Sequence, residues 1–117
     1  MPAFSKVSHI SFSARDAQAS AQWWARVFGL TEIDRTEGDG WKGILLLHPT
    51  SATIIELQQH DSNRGEAFDP VRTGFDHMGL KVDARAALDE WQSHFERLGV
   101  TYTPVVDREY GLSLIHI

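Results

Sequence analysis

At 117 residues, 42% hydrophobic and 23% charged, the chain has the size and composition of one folded globular domain rather than of a disordered segment. Its 11 basic and 16 acidic side chains give a formal charge of −5, and the basic ones are scattered, with no stripe to neutralise phosphates, which argues against a nucleic-acid partner. The absence of cysteine excludes disulfides, cysteine-based zinc sites and thiol nucleophiles.

The chain opens with MPAFSKVSHISFS, which has neither a basic leader nor a long apolar run, and no later stretch approaches membrane-spanning length. The expectation is a cytoplasmic protein with no membrane partner. Residues 6–14, KVSHISFSA, alternate as a strand does, with Val7, His9, Ser11 and Ser13 on one face and Ile10 and Phe12 on the other. Asp16 is placed to cap a helix whose apolar positions are Ala17, Ala21, Trp24 and Phe28, and Gly29 is placed to end it. Three strand-like runs follow at 30–36, 41–48 and 52–59, separated by the turn chemistry of EGDG and PTS. The polar stretch 60–73 reads as a linker or a site loop. GFDHMGLKV, residues 74–82, then reads as another buried strand that carries an imidazole. A second helix, capped by Asp83 and ended by Gly99, presents Ala84, Ala87, Leu88, Trp91, Phe95 and Leu98 on one face, and a further strand begins at 100–106.

The order repeats, and so do the residues. An offset of 68 places His9 on His77, Ile10 on Met78, Phe12 on Leu80 and Trp23 on Trp91. After an insertion of two residues, Gly29-Leu30-Thr31 falls on Gly99-Val100-Thr101. A repeated supersecondary unit is evidence about architecture. It also makes His77 the second copy of His9 rather than an isolated histidine.

Two inward imidazoles at equivalent positions suit a divalent transition metal, and such sites add carboxylates. The acid in the most hydrophobic strand is Glu56, in TIIELQQ. Two readings are open for it. Simple alternation turns Ile54, Glu56 and Gln58 to the side opposite Thr53, Ile55 and Leu57, where water can solvate the acid; a buried carboxylate would instead need a compensating partner. His48, His60 and His94 read as solvated surface histidines, and Trp24 and Trp91, on the helical stripes, read as core.

Together, HISFSARDAQASAQWWARVFGL, the IIEL strand and DHMGLKV resemble the vicinal oxygen chelate superfamily, which includes glyoxalase I, bleomycin-resistance proteins, fosfomycin-resistance transferases and extradiol dioxygenases. The resemblance covers nearly the whole chain in module order. It departs from the family at Trp23-Trp24, where a Phe and Tyr pair is usual, and at Ala14, where a branched aliphatic is usual. It implies an α+β fold of two tandem βαβββ modules forming a cupped, mostly antiparallel mixed sheet, within one domain: module one at about 5–60, a linker at about 61–73, and an incomplete module two at about 74–117. Carried over to this chain, the implied metal ligands are His9, Glu56 and His77, with Glu56 also the candidate catalytic base. The metal implied is divalent, with Zn, Ni, Mn and Fe undistinguished. The fourth ligand, a glutamate of the last strand, would fall near position 126, beyond residue 117. The closing LSLIHI does not resemble the family's usual ending and matches one reading frame of a transposon end used to tag sequencing libraries. The expectation is therefore that residues 112–117 are not native and that the site is incomplete.

The resemblance implies a small-molecule substrate with vicinal oxygens, isomerase, epimerase or lyase-type proton transfer, and a homodimer, which the open edge of an unfinished sheet also favours. Two alternatives stand beside it. One is a metal-free binding or antibiotic-resistance protein, using an aromatic and acidic groove. The other is a ring-cleaving extradiol dioxygenase, using two imidazoles and a carboxylate around ferrous iron.

Overall fold

A strand, a helix and a three-stranded meander form in the first half of the chain at nearly the places their local signals predict. The computed structural model describes the backbone of residues 1–108 and 111–116 and the side chains of residues 1–105. Strand β1 is Ile10–Ser13, and helix α1 is Ala17–Phe28. The Asp16 side chain accepts from the Ala19 N–H at 3.0 Å, and Gly29 ends the helix in the left-handed conformation at φ 72. Strands β2 (Thr31–Gly38), β3 (Trp41–Leu47) and β4 (Ile54–His60) follow. The sheet order is β1-β4-β3-β2, with β1 parallel to β4 and the other pairs antiparallel.

Register decides which side chains share a face. Phe12 pairs with Leu57, and Leu57 with Ile44; Ile10 pairs with Ile55, and Ile55 with Leu46. These residues turn toward α1, and Ile44, Leu46, Ile55 and Leu57 are buried with Ala17, Ala21, Val27 and Leu30. Trp24 is half-buried rather than core: it stacks on Phe12 at 6.1 Å and packs against Phe28 at 5.0 Å. The helix turns Val27 inward in its place.

The chain divides into two compact units, Met1–Phe68 and Asp69–Ile117. In the second, helix α2 (Arg85–Leu98) is followed by strands β5 (Tyr102–Arg108) and β6 (Gly111–His116), which pair antiparallel. The ladder shifts register between Thr103 and Val106, around Pro104, which has no N–H to give it. Leu88 and Phe95 are buried, and Trp91 is half-buried against Phe95. The suspect segment 112–117 thus lies in a paired strand up to His116; residue 117 and the side chains of the segment lie outside the described residues.

Two expectations need correction. Residues 74–82 form no strand, because a strand exists only against a partner and none pairs with them among the described residues. Asp83 does not cap α2: the helix begins one residue too late, Ala84 occupies the cap position, and no side chain bonds the first turn. Gly99 does end it, at φ 69. The observed architecture is α+β, with an open four-stranded mixed sheet and a separate two-stranded sheet among the described residues. No described helix is long and apolar enough to cross a membrane.

Candidate active site

The face of the first sheet opposite α1 carries the candidate acid, Glu56. Ser11 of β1 pairs with Glu56 of β4, and Glu56 with Leu45 of β3. One step along, Ser13 pairs with Gln58, Gln58 with Gly43, and Gly43 with Thr36 of β2. Polar side chains from β1, β4 and β2 therefore share a face to which β3 contributes only Gly43 and Leu45 at these positions.

Glu56 is the one buried charged residue among those described, 7% exposed. Its Oε1 accepts from Ser11 Oγ at 2.6 Å and from Gln58 Nε2 at 2.8 Å, while Oε2 has a single long contact, from Thr36 Oγ1 at 3.5 Å. Every donor is neutral, and no cation pairs with the carboxylate among the described residues. Bonds to a charged acceptor of the kind Oε1 makes are worth about 1.5–3 kcal/mol each, enough to offset much of the desolvation that burial costs. Gly43 makes this arrangement possible. A Cβ there would lie 2.8 Å from Thr36 Oγ1 and 3.1 Å from Glu56 Oε2, so a side chain at this position of β3 would push the Thr36 and Glu56 side chains apart.

The alternation reading was right about direction, since Glu56 does face away from Ile55 and Leu57, but the acid is enclosed rather than solvated. Ser11, Thr36, Gln58 and Gly43 were not singled out beside it. Their signal lies in strand register, and only the parity of Ser11 and Gln58 was readable beforehand.

The two histidines are placed differently. His9 lies just before β1, exposed, with Nδ1 3.2 Å from Ser8 Oγ. His77 belongs to the second unit, with its side chain 83% exposed and Nδ1 2.5 Å from Asp76 Oδ1. A carboxylate only accepts, so Nδ1 carries the proton of that bond; in a neutral imidazole Nε2 is then the lone-pair donor, the orientation that metal-bound histidines use. The donors are therefore of a kind that suits a divalent ion: a carboxylate with one lightly bonded oxygen, and two accessible imidazoles. No three His, Asp or Glu side chains converge as ligands among the described residues.

His48 and His94 have local side-chain partners. His48 holds the β3–β4 turn, its Nδ1 2.8 Å from Ser51 Oγ and accepting from the Ser51 N–H at 3.2 Å. His94 is half-buried on Trp91 rather than fully solvated, and His60 ends β4 opposite Trp41. An open hollow on α2, lined by Asp89, Glu90, Ser93 and Arg97, contains none of the residues above.

A helix-backed mixed sheet with an enclosed carboxylate on its other face, followed by a second helix and hairpin, defines a βαβββ class of protein. The chain belongs to the Glyoxalase/Bleomycin resistance protein/Dioxygenase superfamily, whose family model matches residues 6–117. It is similar to the glyoxylase/bleomycin resistance protein/dioxygenase domain from Frankia sp. EAN1pec, at 28% identity and a TM-score of 0.89, over 97% of this chain and 89% of that one. It shares its fold with a glutamate-to-glutamine mutant of the fosfomycin resistance protein FosX from Listeria monocytogenes, at 18% identity and a TM-score of 0.62 over 97% and 93% of the two chains. That structure holds Mn(II) and 1S,2S-dihydroxypropylphosphonic acid. FosX from Mesorhizobium loti is similar to the same degree, at 18% identity and a TM-score of 0.63, over 97% and 92%. No curated protein matches the chain.

Proposed function

We propose that the chain is a glyoxalase-like, metal-dependent protein that acts on a small substrate with vicinal oxygens by proton transfer of the isomerase, epimerase or lyase type. In this reading the two units work as one domain, in a cytoplasmic homodimer. The observation that carries it is the enclosed Glu56 carboxylate, held by neutral donors on the face that α1 leaves free, with Oε2 lightly bonded. His9, Glu56 and His77 are the proposed ligands of a divalent ion. When bound, such an ion supplies Lewis-acid stabilisation of the enolate-like charge that forms as a proton leaves carbon. In this reading Glu56 takes and returns that proton, supported by its burial and by its lightly bonded Oε2. The Asp76 carboxylate fixes the tautomer of His77. The Mn(II) in the FosX structure makes manganese the first of Zn, Ni, Mn and Fe to test.

The test is metal content by mass spectrometry after incubation with a mixture of divalent ions. Stoichiometric metal in the wild type, lost in the double variant His9→Ala, His77→Ala and in Glu56→Gln, is the expected result. A second reading, metal-free sequestration of a small molecule, is favoured by the fact that neutral donors already satisfy Oε1. Wild-type protein that emerges from the incubation without metal would sink the first reading in favour of the second.

A further inference from the structure

Glu56 is held unevenly, and the unevenness has a direction. Two short bonds, from Ser11 on one strand and Gln58 on its own, converge on Oε1. The other oxygen has only the 3.5 Å contact to Thr36, made across the backbone of Gly43. A carboxylate held at one oxygen cannot turn without giving up both bonds at once. We infer that Ser11 and Gln58 are positioning residues, which lock Oε1 and so present Oε2, over the gap at Gly43, as the oxygen that meets a ligand. The inference rests on the reading of Glu56 as the acid of the site.

The same bonds polarise the carboxylate. Negative charge gathers on Oε1, which accepts two hydrogen bonds, its C–O bond lengthens, and the C–Oε2 bond gains double-bond character. The asymmetric and symmetric stretching bands of such a carboxylate move apart, and they draw together when the two oxygens become alike. Thr36 acts in the opposite sense, because its hydroxyl reaches the other oxygen. That opposition separates positioning from simple structural support, which would make all three residues equivalent.

The experiment is infrared difference spectroscopy on the full chain labelled with 13C-glutamate, comparing the wild type with Ser11→Ala, Gln58→Met and Thr36→Val at neutral pH. Folding of each variant is checked by circular dichroism, and a parallel titration with Mn(II) is followed by electron paramagnetic resonance. Ser11→Ala and Gln58→Met are expected to narrow the separation of the Glu56 bands and to weaken Mn(II) binding by about tenfold, the usual effect of losing an outer-shell partner. Thr36→Val is expected to leave the separation as wide or wider and Mn(II) binding no weaker. Equal band shifts in all three variants, or no shift in Ser11→Ala and Gln58→Met, overturn the inference. A wild type that binds no Mn(II) overturns the metal reading of Glu56 instead, while the infrared bands still decide whether Oε1 is locked.

Discussion

The two units begin from the same sequence pattern and end in different structures. Their helices match: α1 and α2 both stop at a glycine in the left-handed conformation, Gly29 and Gly99, and both bury apolar side chains. Their opening strands do not. Residues 10–13 lie in a ladder with β4, while 74–82, with a similar apolar pattern, have no ladder among the described residues. The difference shows where each element gets its stability. A helix closes its own hydrogen bonds within a few residues, and a cap and a terminator define much of it. A strand's bonds belong to a neighbour that arrives from elsewhere in the chain.

The largest expected effect in this comparison is on core packing. Ile55 is 1% exposed and sits between β1 and β3. Ile55→Ala should cost about 2–5 kcal/mol in urea unfolding, and Leu88→Ala, in the second unit, should fall at the low end of that range or below it. Equal losses would show that the two units are packed alike and would end the contrast. Next come the terminators. Gly29→Ala and Gly99→Ala should each cost about 1–2 kcal/mol, because both force a Cβ into the left-handed region, and unequal costs would break the equivalence of the helices. The N-terminal caps should differ in sign. Asp16→Ala should cost about 1 kcal/mol, whereas Ala84→Ser should gain about 0.5–1 kcal/mol by supplying the bond that α2 lacks; thermal unfolding of both variants checks this.

The smallest effects are those of exposed charges, and they too run oppositely. The Arg35 guanidinium bonded to Glu32 holds that carboxyl below its usual range, so this pair's contribution is present above the ordinary glutamate range and fades as pH falls through the lowered value. Tyr102 donates to Glu96 Oε1 at 2.5 Å, and that bond raises the phenol. Its contribution is present below the ordinary phenol range and is lost as pH rises through the raised value. Melting curves of Arg35→Gln and Tyr102→Phe against the wild type should therefore converge with it at acid and at alkaline pH respectively, more closely still in high salt.

What could be read from the sequence follows the same division. Asp16, Gly29 and Gly99 marked helix ends because their signals act within one turn, and the alternation of 6–14 and 52–59 placed β1 and β4 to within a few residues. Asp83 misled by a single position, which for a cap decides everything. Residues 74–82 misled because an apolar strand pattern says what could be buried but not against which partner. Glu56 was recognisable as an acid in an apolar strand. Its enclosure was not, because Ser11 and Thr36 reach it only through the register of four strands, and because the contribution of Gly43 is a missing side chain.

The Ser11–Glu56 bond spans 45 residues of sequence, and it crosses the only parallel pair in the first sheet. Helix α1 and the β2–β3–β4 meander can form from near neighbours, whereas β1 must wait for β4 before it has an edge to join. Until then Glu56 lacks one of its two short bonds, and the half-built sheet carries an undersupported acid beside an unpaired edge. Closing β1 onto β4 therefore completes the fold and finishes the carboxylate in a single step, so any molecule that binds Glu56 in its finished form favours the chains in which that last strand is already in place.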